Sequence, residues 1–323
     1  MRPVHPLLRH ALSGLAGNVV LLAGLSFLVF VGVDLLPGDP ITSRLGPTAT
    51  PERIAAVRAE LGLDQPVLTR YGDWLAGIVH GDLGRSAAGQ PVTELLSGRV
   101  GNSILLACLA TACLIPLSFG FGLAAARRRG RPADRAISTG SLLLLSVPEF
   151  VVAGFLVLIL AIGLRLLPAV SLVPAGSSPV RHSEVLVLPV LSLLLVGLAY
   201  ATRVIRAAAA GTLRAPYVEF LRLSGQSERT ILRTAVVPAV LPVAVQIWLL
   251  TGVSMIGGAV LVEKVFGYPG IGELLVTSVQ TGDLAVVQAL VLVLGGATLA
   301  VLLIADLAMV LLTPRLRTGG GAE

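Results

Sequence analysis

Three acidic residues lie within long apolar segments, where a charge is costly and often functional. Asp34 and Asp306 lie near the ends of their segments, where a carboxylate can reach water or a partner. Glu149 lies near the middle of its segment and follows Pro148, which can kink a helix. Glu149 could line a polar pathway, or it could be neutral and hydrogen-bonded between helices; the sequence leaves both interpretations open. A single acid does not form a proton relay.

Catalytic motifs are absent from the sequence. A P-loop requires a lysine followed by Ser or Thr after a glycine-rich turn, and the single lysine, Lys264, is followed by Val265. No HExxH helix and no GxSxG elbow occurs. The glycines of GYPGIGE, which are Gly267, Gly270 and Gly272, follow no predicted strand, so we expect a tight external turn. We therefore predict no catalytic residue and no cofactor.

The thiol and imidazole groups do not form a metal-binding pattern. Cys108 and Cys113 are five residues apart in one apolar segment, which places them on different faces of a helix. We expect them to be small packing residues and not a disulfide or a metal pair. The four histidines are scattered along the chain at His5, His10, His80 and His182.

The composition is that of a membrane protein. Apolar residues make up 55% of the chain and charged residues 13%, whereas soluble domains carry about 25% charged residues. A helix needs about 20 apolar residues to cross a bilayer. The first such segment follows a short basic start without a cleavage site, so we expect it to be retained. We predict an all-α polytopic protein whose six transmembrane helices lie near 14–36, 102–126, 137–163, 186–206, 239–262 and 285–312.

The distribution of basic residues predicts the orientation. If the N-terminus is cytoplasmic, the inside segments hold 15 basic and four acidic residues, counting Arg203 and Arg206 at the inner end of the fourth apolar segment, and the outside segments hold nine basic and eleven acidic residues. Lys and Arg in short loops mark the cytoplasmic side. The net charge of +6 thus reflects topology and does not indicate binding to nucleic acid. The predicted cytoplasmic segments are the N-terminus, 127–135, 208–236 and 313–323, and the predicted external ones are 37–100, 164–185 and 263–284.

The external segment 37–100 is predicted to be a small helical subdomain. Thr50 can cap a helix over 51–62, and a second helix fits 66–80 and ends before Gly81. Both helices have an apolar face, which we expect to pack on the ends of the transmembrane helices. Whether this subdomain also contacts a ligand is left open.

The polar segment 217–242 lies between two long apolar segments and predicts an elbow of two short helices. Pro216 suits the first position of a helix, and Gly225 suits the residue just past its end. Ser227 can cap the second helix, with Glu228 in its first turn. By spacing, one face carries Tyr217, Phe220 and Leu221, and the next carries Ile231, Leu232 and Ala235. Such an amphipathic elbow is either a docking surface or an ordinary solvated loop.

Several motifs follow one another along nearly the whole chain. They are LLPGDP at 35–40, ELGLDQPVLTRYGDWLAGIVHGDLGRS at 60–86, SVPEF at 146–150, YVEFLRLSG at 217–225, GGAVLVEKVFGYPGIGELLV at 257–276, DLAVVQ at 283–288 and TPRLR at 313–317. In this order they resemble the permease subunits of bacterial dipeptide, oligopeptide and nickel ABC importers, specifically the first of the two paired permeases.

The resemblance implies the fold of a type I importer permease and identifies the elbow as the EAA-type coupling loop. Glu219, Gly225 and Pro238 match the glutamate, glycine and closing proline of that motif. The sequence departs from the motif at Phe220 and Leu221, which replace two alanines, and at Ser224, which replaces a frequent lysine. The predicted residues for coupling to an ATPase are Tyr217, Glu219, Phe220, Leu221, Arg222, Gly225 and Pro238.

The resemblance also implies a function and a set of partners. The chain would carry di- and oligopeptides from an extracytoplasmic binding protein, through a pathway shared with a second homologous permease. Two cytoplasmic ATPase subunits would bind ATP, and this chain would be neither an enzyme nor a cofactor protein. Import of nickel or a metal chelate is the alternative within the family. A gradient-driven transporter and a membrane scaffold are the rivals outside it.

The resemblance gives the chain four regions in the bacterial inner membrane. These are a cytoplasmic N-terminus with the first transmembrane helix over 1–36, an external segment over 37–100, an ABC transporter type-1 transmembrane domain over 101–312 that contains the coupling loop 208–236, and a cytoplasmic tail over 313–323.

Overall fold

A computed structural model describes residues 6–34, 50, 65–173, 177 and 179–312, with side chains over 14–32, 50, 65–173, 177 and 179–308. These residues form helices and turns, and one isolated bridge joins Arg85 to Pro91. The predicted all-α class is confirmed. The helix predicted over 51–62, the side chain of Asp34 and the tail 313–323 lie outside the described residues.

The described residues contain twelve α-helices, which we number in chain order. They are α1 Pro6–Asp34, α2 Val67–Val79, α3 Val92–Leu96, α4 Arg99–Arg127, α5 Pro132–Leu145, α6 Glu149–Leu156, α7 Ser183–Thr212, α8 Pro216–Leu223, α9 Glu228–Ile231, α10 Val237–Phe266, α11 Ile271–Thr281 and α12 Leu284–Leu312. Two π-helical stretches, Val157–Gly163 and Leu232–Val236, extend α6 and join α9 to α10, and a 3₁₀ turn covers Pro179–Arg181.

Five helical stretches in the described part of the chain are long and apolar enough to cross a membrane. They are Gly14–Gly32, Val92–Arg127, Ser183–Thr212, Glu228–Phe266 and Leu284–Ala308. The pair Pro132–Leu145 and Glu149–Gly163 supplies a sixth if it is counted as one span. The count of six predicted from hydropathy therefore holds only with this bent pair included.

The predicted third span over 137–163 is not a continuous helix. The helices α5 and α6 meet at an angle of 107°. Ser146 ends α5, and its hydroxyl donates to the carbonyl of Leu142 at 2.9 Å. Pro148 has an extended backbone (ψ 149°) and disfavours a helical Val147 before it. Glu149 is therefore the first residue of α6 and does not lie in the middle of a long helix.

The chain divides into two compact units, and the first consists of 1–12, 104–268 and 300–323. Its central helix is α7, which packs against α5, α6 and α10. Small residues allow close helix crossings. A β-carbon at Gly197 would lie 2.8 Å from both Thr251 and Met255 of α10, and one at Gly122 of α4 would lie 2.6 Å from Ile205 Cγ2.

The second unit consists of 13–103 and 269–299. Within it, the apolar face of α2 packs on α1, as its periodicity predicted. The hydroxyl of Tyr71 donates to the Ala23 carbonyl at 2.9 Å, and the rings of Phe27, Phe30 and Trp74 surround the Tyr71 ring at centroid distances of 5.1 to 5.9 Å. A separate core joins α3, α11 and α12 through Val92, Leu96, Ile271, Leu274, Val286, Ala289 and Leu290.

The GYPGIGE segment forms the tight turn that its glycines predicted. Gly267 ends α10 with a φ of +60°, and Gly270 precedes α11. In the second unit, α4 holds the start of α11. The Asn102 amide donates to the Pro269 carbonyl at 2.8 Å, and Arg99 pairs with Glu273 at 2.8 Å. The segment after α10 is thus an anchored helix and not an open loop.

Candidate functional site: the elbow between α7 and α10

The elbow is built from the helices α8 and α9. Ala215 is extended and places Pro216 at the start of α8. Gly225 follows α8 with a φ of +79°, a conformation that disfavours residues with a β-carbon. The hydroxyl of Ser227 accepts a hydrogen bond from the Thr230 amide at 3.2 Å and so caps α9. The two helices, the cap and the left-handed glycine agree with the sequence prediction.

The faces of α8 differ in part from the prediction. Val218 is fully buried, and Leu221 is half-buried against the core of the first unit. The opposite side exposes Tyr217 at 49%, Phe220 at 68% and Leu223 at 82%. Leu221 therefore anchors α8 to the transmembrane helices, and Leu223 joins the exposed face in its place. We call Tyr217, Phe220 and Leu223 the outer face of α8.

Arg222 holds the elbow together from within. Its Nε donates to Glu228 Oε1 at 2.7 Å, and its Nη1 donates to the Leu213 carbonyl at 3.3 Å. The hydrogen bond that Arg222 donates to Glu228 raises the pKa of Arg222 above its ordinary value. Arg222 thus connects the end of α7, α8 and the start of α9. The family resemblance predicts that Arg222 couples to an ATPase, together with Glu219, which is exposed.

The second half of the elbow leads directly into α10. Ile231 is fully buried, and Leu232 and Ala235 are half-buried against the same core. The predicted apolar face of this half is therefore confirmed. Pro238 is exposed in the first turn of α10, where its missing amide hydrogen breaks no helical hydrogen bond. A movement of α8 would accordingly reach α10 through packed side chains.

A buried ion pair supports the end of α7, and sequence reasoning missed it. Asp134, with 3% of its surface exposed, accepts hydrogen bonds from both Nε and Nη2 of Arg206, the latter at 2.9 Å. The Gly130 amide and the Ser138 hydroxyl also donate to this carboxylate, at 2.9 and 3.4 Å. By sequence, Asp134 belongs to the predicted cytoplasmic segment 127–135, and Arg206 is the last residue of the helix predicted over 186–206. The sequence signal for this pair was the arginine within a predicted transmembrane helix, because a charged side chain there requires a partner.

Glu149 packs against α10. Its carboxylate occupies the position that a β-carbon at Gly258 would take. No residue in the described ranges donates a hydrogen bond to it. The structure thus places Glu149 in a helix contact next to the α5–α6 break. Asp306, by contrast, is exposed on α12.

A second buried acid, Glu263, also escaped the sequence analysis. The predicted helix ended at 262, but α10 continues to Phe266 and buries Glu263 completely. The neighbouring Tyr268 is also fully buried, and burial together with the negative Glu263 raises its pKa. Among the described residues, no group of three His, Cys, Asp or Glu side chains could hold a metal ion.

Comparison with known proteins assigns the fold and the class. Residues 118–318 match the family described as binding-protein-dependent transport system inner membrane component, and residues 7–93 match its N-terminal region. A putative peptide transport system permease protein of Brucella abortus (strain 2308) is 36% identical over 298 residues, which cover 90% of this chain and 93% of that protein.

Two further relatives match almost end to end. A probable peptide ABC transporter permease protein of Sinorhizobium fredii is 32% identical, with 95% of this chain and 99% of that protein covered. The glutathione transport system permease protein of Salmonella choleraesuis is also 32% identical, with 96% and 99% covered. The helices described above are those of a type I ABC transmembrane domain in a multi-pass inner-membrane protein. The chain is therefore a member of the family of binding-protein-dependent transport system inner membrane components, the permease subunits of ABC transporters.

Proposed function

We propose that this chain is the permease subunit of an importer for di- and oligopeptides. An extracytoplasmic binding protein delivers the peptide, a second homologous permease completes the pathway, and two cytoplasmic ATPase subunits bind and hydrolyse ATP. The names of the relatives support peptides as the substrate class. The observation that carries the proposal is the outer face of α8, which is apolar, exposed and held on an anchored elbow.

The outer face is suited to a groove on an ATPase subunit. Short amphipathic helices bind such grooves through a few apolar anchors. Tyr217, Phe220 and Leu223 supply these anchors, and Glu219 lies beside them in the first turn of α8. The sequence has no P-loop lysine of its own, so the energy must come from a partner. The chain itself needs no cofactor for this role.

The route from the elbow to the pathway follows the packing of the first unit. Val218 and Leu221 transmit a movement of α8 to the core, and Arg222 transmits it to the end of α7. Arg206 passes the movement from α7 to α5 through Asp134. At the α5–α6 break, Glu149 then changes its position relative to α10. We propose that this break opens and closes the pathway, and that Glu149 borders it.

The orientation belongs to the same proposal. The helix α8 lies between the membrane-crossing stretches Ser183–Thr212 and Glu228–Phe266, so both stretches end on the side where the ATPases bind. With an elbow in the cytoplasm, the N-terminus, 127–135 and the C-terminus are cytoplasmic. The segments 37–100, 164–185 and 263–284 then face the binding protein, which the positive-inside distribution of arginine supports.

Transport by the reconstituted complex tests the proposal. The two permeases, the two ATPases and the binding protein are placed in proteoliposomes, and uptake of a labelled dipeptide, of glutathione and of Ni²⁺ is measured with and without ATP. We expect uptake of a peptide that requires both ATP and the binding protein. The matched control is a complex whose ATPases lack the P-loop lysine. Uptake driven by an ion gradient without ATP would refute the proposal. Uptake of Ni²⁺ but of neither peptide would assign the chain to the nickel importers of the family.

A further inference from the structure

A cavity with a strongly basic lining lies behind the elbow. Its volume is 510 Å³, and it opens between the end of α4, the turn after it, the end of α7 and the inner side of α8. Four arginines surround it, and Ala210 and Leu213 form its apolar floor. We call it the arginine pocket, and its arginines are Arg127, Arg129, Arg214 and Arg222.

The positive charge of this pocket is largely uncompensated. Glu228 pairs with Arg222 and also attracts Arg127 electrostatically, and Asp134 is already paired with Arg206. Arg127, Arg129 and Arg214 form no ion pair within 4.0 Å in the part of the chain that the structure describes. Three arginines around one concave site at helix ends therefore favour an anionic occupant.

The surroundings of the pocket favour an amphiphile over a free anion. Arg127 is the last residue of α4, so the pocket lies where an apolar membrane-crossing stretch ends. Leu123, Gly120 and Pro116 lie on the same side of α4 as Arg127, because they follow it at helical spacing toward the N-terminus. Gly120 and Pro116 are exposed. An acyl chain could follow this uncharged side while its phosphate contacts the arginines.

The pocket is also separate from the outer face of α8. Arg222 and the fully buried Val218 lie one helical turn apart on the inner side, whereas Phe220 and Leu223 lie on the opposite side. An ATPase bound to the outer face would therefore not contact the inner side of α8, which lines the pocket. A lipid headgroup and an ATPase could therefore occupy the two sides of α8 together.

We propose that the arginine pocket binds the phosphate headgroup of an anionic phospholipid from the cytoplasmic leaflet. The inference rests on the proposed function for its orientation, because that leaflet is rich in anionic lipid. The headgroup neutralises the arginines that converge on α8 and so stabilises the elbow in the position seen here. Anionic lipid then acts as a structural ligand of the coupling elbow.

The test is lipid binding to the purified whole complex, measured by native mass spectrometry. Dioleoyl phosphatidylglycerol, dioleoyl phosphatidylcholine and inorganic phosphate are titrated separately. We expect tight binding of phosphatidylglycerol that the other two do not reproduce. The substitutions Arg129→Gln and Arg214→Gln should each weaken this binding by about fivefold, and together by roughly 25-fold, because an arginine near an anionic surface contributes about 1 kcal/mol.

The matched control is the double variant Arg135→Gln and Arg233→Gln, which removes two exposed arginines of the predicted cytoplasmic segments that do not line the pocket. An equal loss in this control would mean general surface attraction and would overturn the proposal. If inorganic phosphate bound as tightly as phosphatidylglycerol, the arginine pocket would be a simple anion site and the lipid proposal would be wrong. If the pocket variant instead releases an ATPase subunit and leaves lipid binding unchanged, the pocket belongs to that subunit. Lipid binding is measured without ATP or peptide, so its outcome is independent of the transport assay.

Discussion

The carboxylate of Glu149 lies directly over Gly258, and a β-carbon at 258 would come within 2.7 Å of Glu149 Cδ. This contact joins the first residue of α6 to the C-terminal half of α10. A side chain at 258 would occupy the space of the carboxylate, so it would force the Glu149 side chain into another position. The adjacent Gly257 has no such neighbour, since nothing lies within 4 Å of its β-carbon position.

The first prediction uses this pair of glycines. Gly258→Ala should displace the Glu149 side chain and change peptide uptake, and Glu149→Gln should change uptake in the same direction while leaving assembly intact. Gly257→Ala, the control, should transport at nearly the normal rate. The readouts are uptake into proteoliposomes and the elution of the complex on size exclusion. Normal uptake by Glu149→Gln at normal expression would remove Glu149 from the functional residues.

The second prediction concerns the crossing of α4 and α7. Gly122→Ala should force Ile205 and the α7 backbone away, because the added β-carbon would lie 3.2 Å from the Arg206 amide nitrogen as well. Overpacking of this kind typically costs about 1–3 kcal/mol, so the complex should unfold at a lower temperature. Gly120→Ala two residues earlier meets nothing within 4 Å and serves as the control. A thermal melt in which both variants match the wild type would contradict this crossing.

The sequence predicted those parts of the elbow that follow from local chemistry. A capping serine accepts a hydrogen bond from the amide three residues later, and a glycine with positive φ ends a helix directly after its last turn. Both effects act within one helical turn, so Ser227 and Gly225 could be identified from their neighbours in the sequence. The sequence groups Leu221 with Tyr217 and Phe220 on one apolar face, whereas in the structure Leu221 is half-buried against the core. Periodicity groups apolar residues without showing which of them meets the core. The place of Leu223 on the outer face could not be predicted for the same reason, because tertiary packing decides which side of α8 faces the core.

Pairs that are distant in sequence could not be predicted from one chain. Asp134 and Arg206 are 72 residues apart, and only the packing of α5 on α7 brings them together. The break after α5 was foreseen as a proline kink, but its size depends on Ser146 and Pro148 acting together. The end of α10 was missed because Glu263 and Lys264 lower the hydropathy of a helix that nevertheless continues.

The third prediction tests the buried ion pair. Asp134→Asn leaves Arg206 without its charged partner, and loss of one hydrogen-bonded partner of a charged group typically costs about 1–3 kcal/mol. We expect a lower melting temperature and weaker stimulation of ATP hydrolysis by the loaded binding protein. The double variant Asp134→Asn with Arg206→Gln should recover part of the stability. Asp306→Asn, which changes an exposed acid, is the control. If Asp306→Asn lowered the melting temperature and the ATPase stimulation as much as Asp134→Asn, the ion pair would have no specific role.

The fourth prediction is the topology, tested by cysteine labelling in intact cells. Cys108 and Cys113 are both exposed and must first be replaced by alanine. A single cysteine at Ala88, exposed in the predicted external segment, should react with a membrane-impermeant maleimide. One at Arg129 should react only after the cells are opened. Labelling of the Arg129 position from outside would overturn the orientation and, with it, the elbow as a cytoplasmic docking site.

The last prediction concerns Gly225, on which the direction of the elbow depends. Open space surrounds its β-carbon position, so a side chain there meets no steric barrier from neighbours. The cost comes instead from the φ of +79°, which is about 1–2 kcal/mol for a residue with a β-carbon. Gly225→Val should therefore redirect α9 relative to α8, move Glu228 away from Arg222 and leave the transmembrane helices folded.

The measurement is ATP hydrolysis by the reconstituted complex with the loaded binding protein. Gly225→Val should assemble in the membrane but lose most of the stimulation. Gly211→Val is the matched control, because Gly211 lies in helical backbone near the end of α7, also has open space around it and carries no positive φ. Full stimulation in Gly225→Val at normal assembly would show that the elbow tolerates redirection. In that case α8 could not be the element that transmits ATPase closure to the membrane.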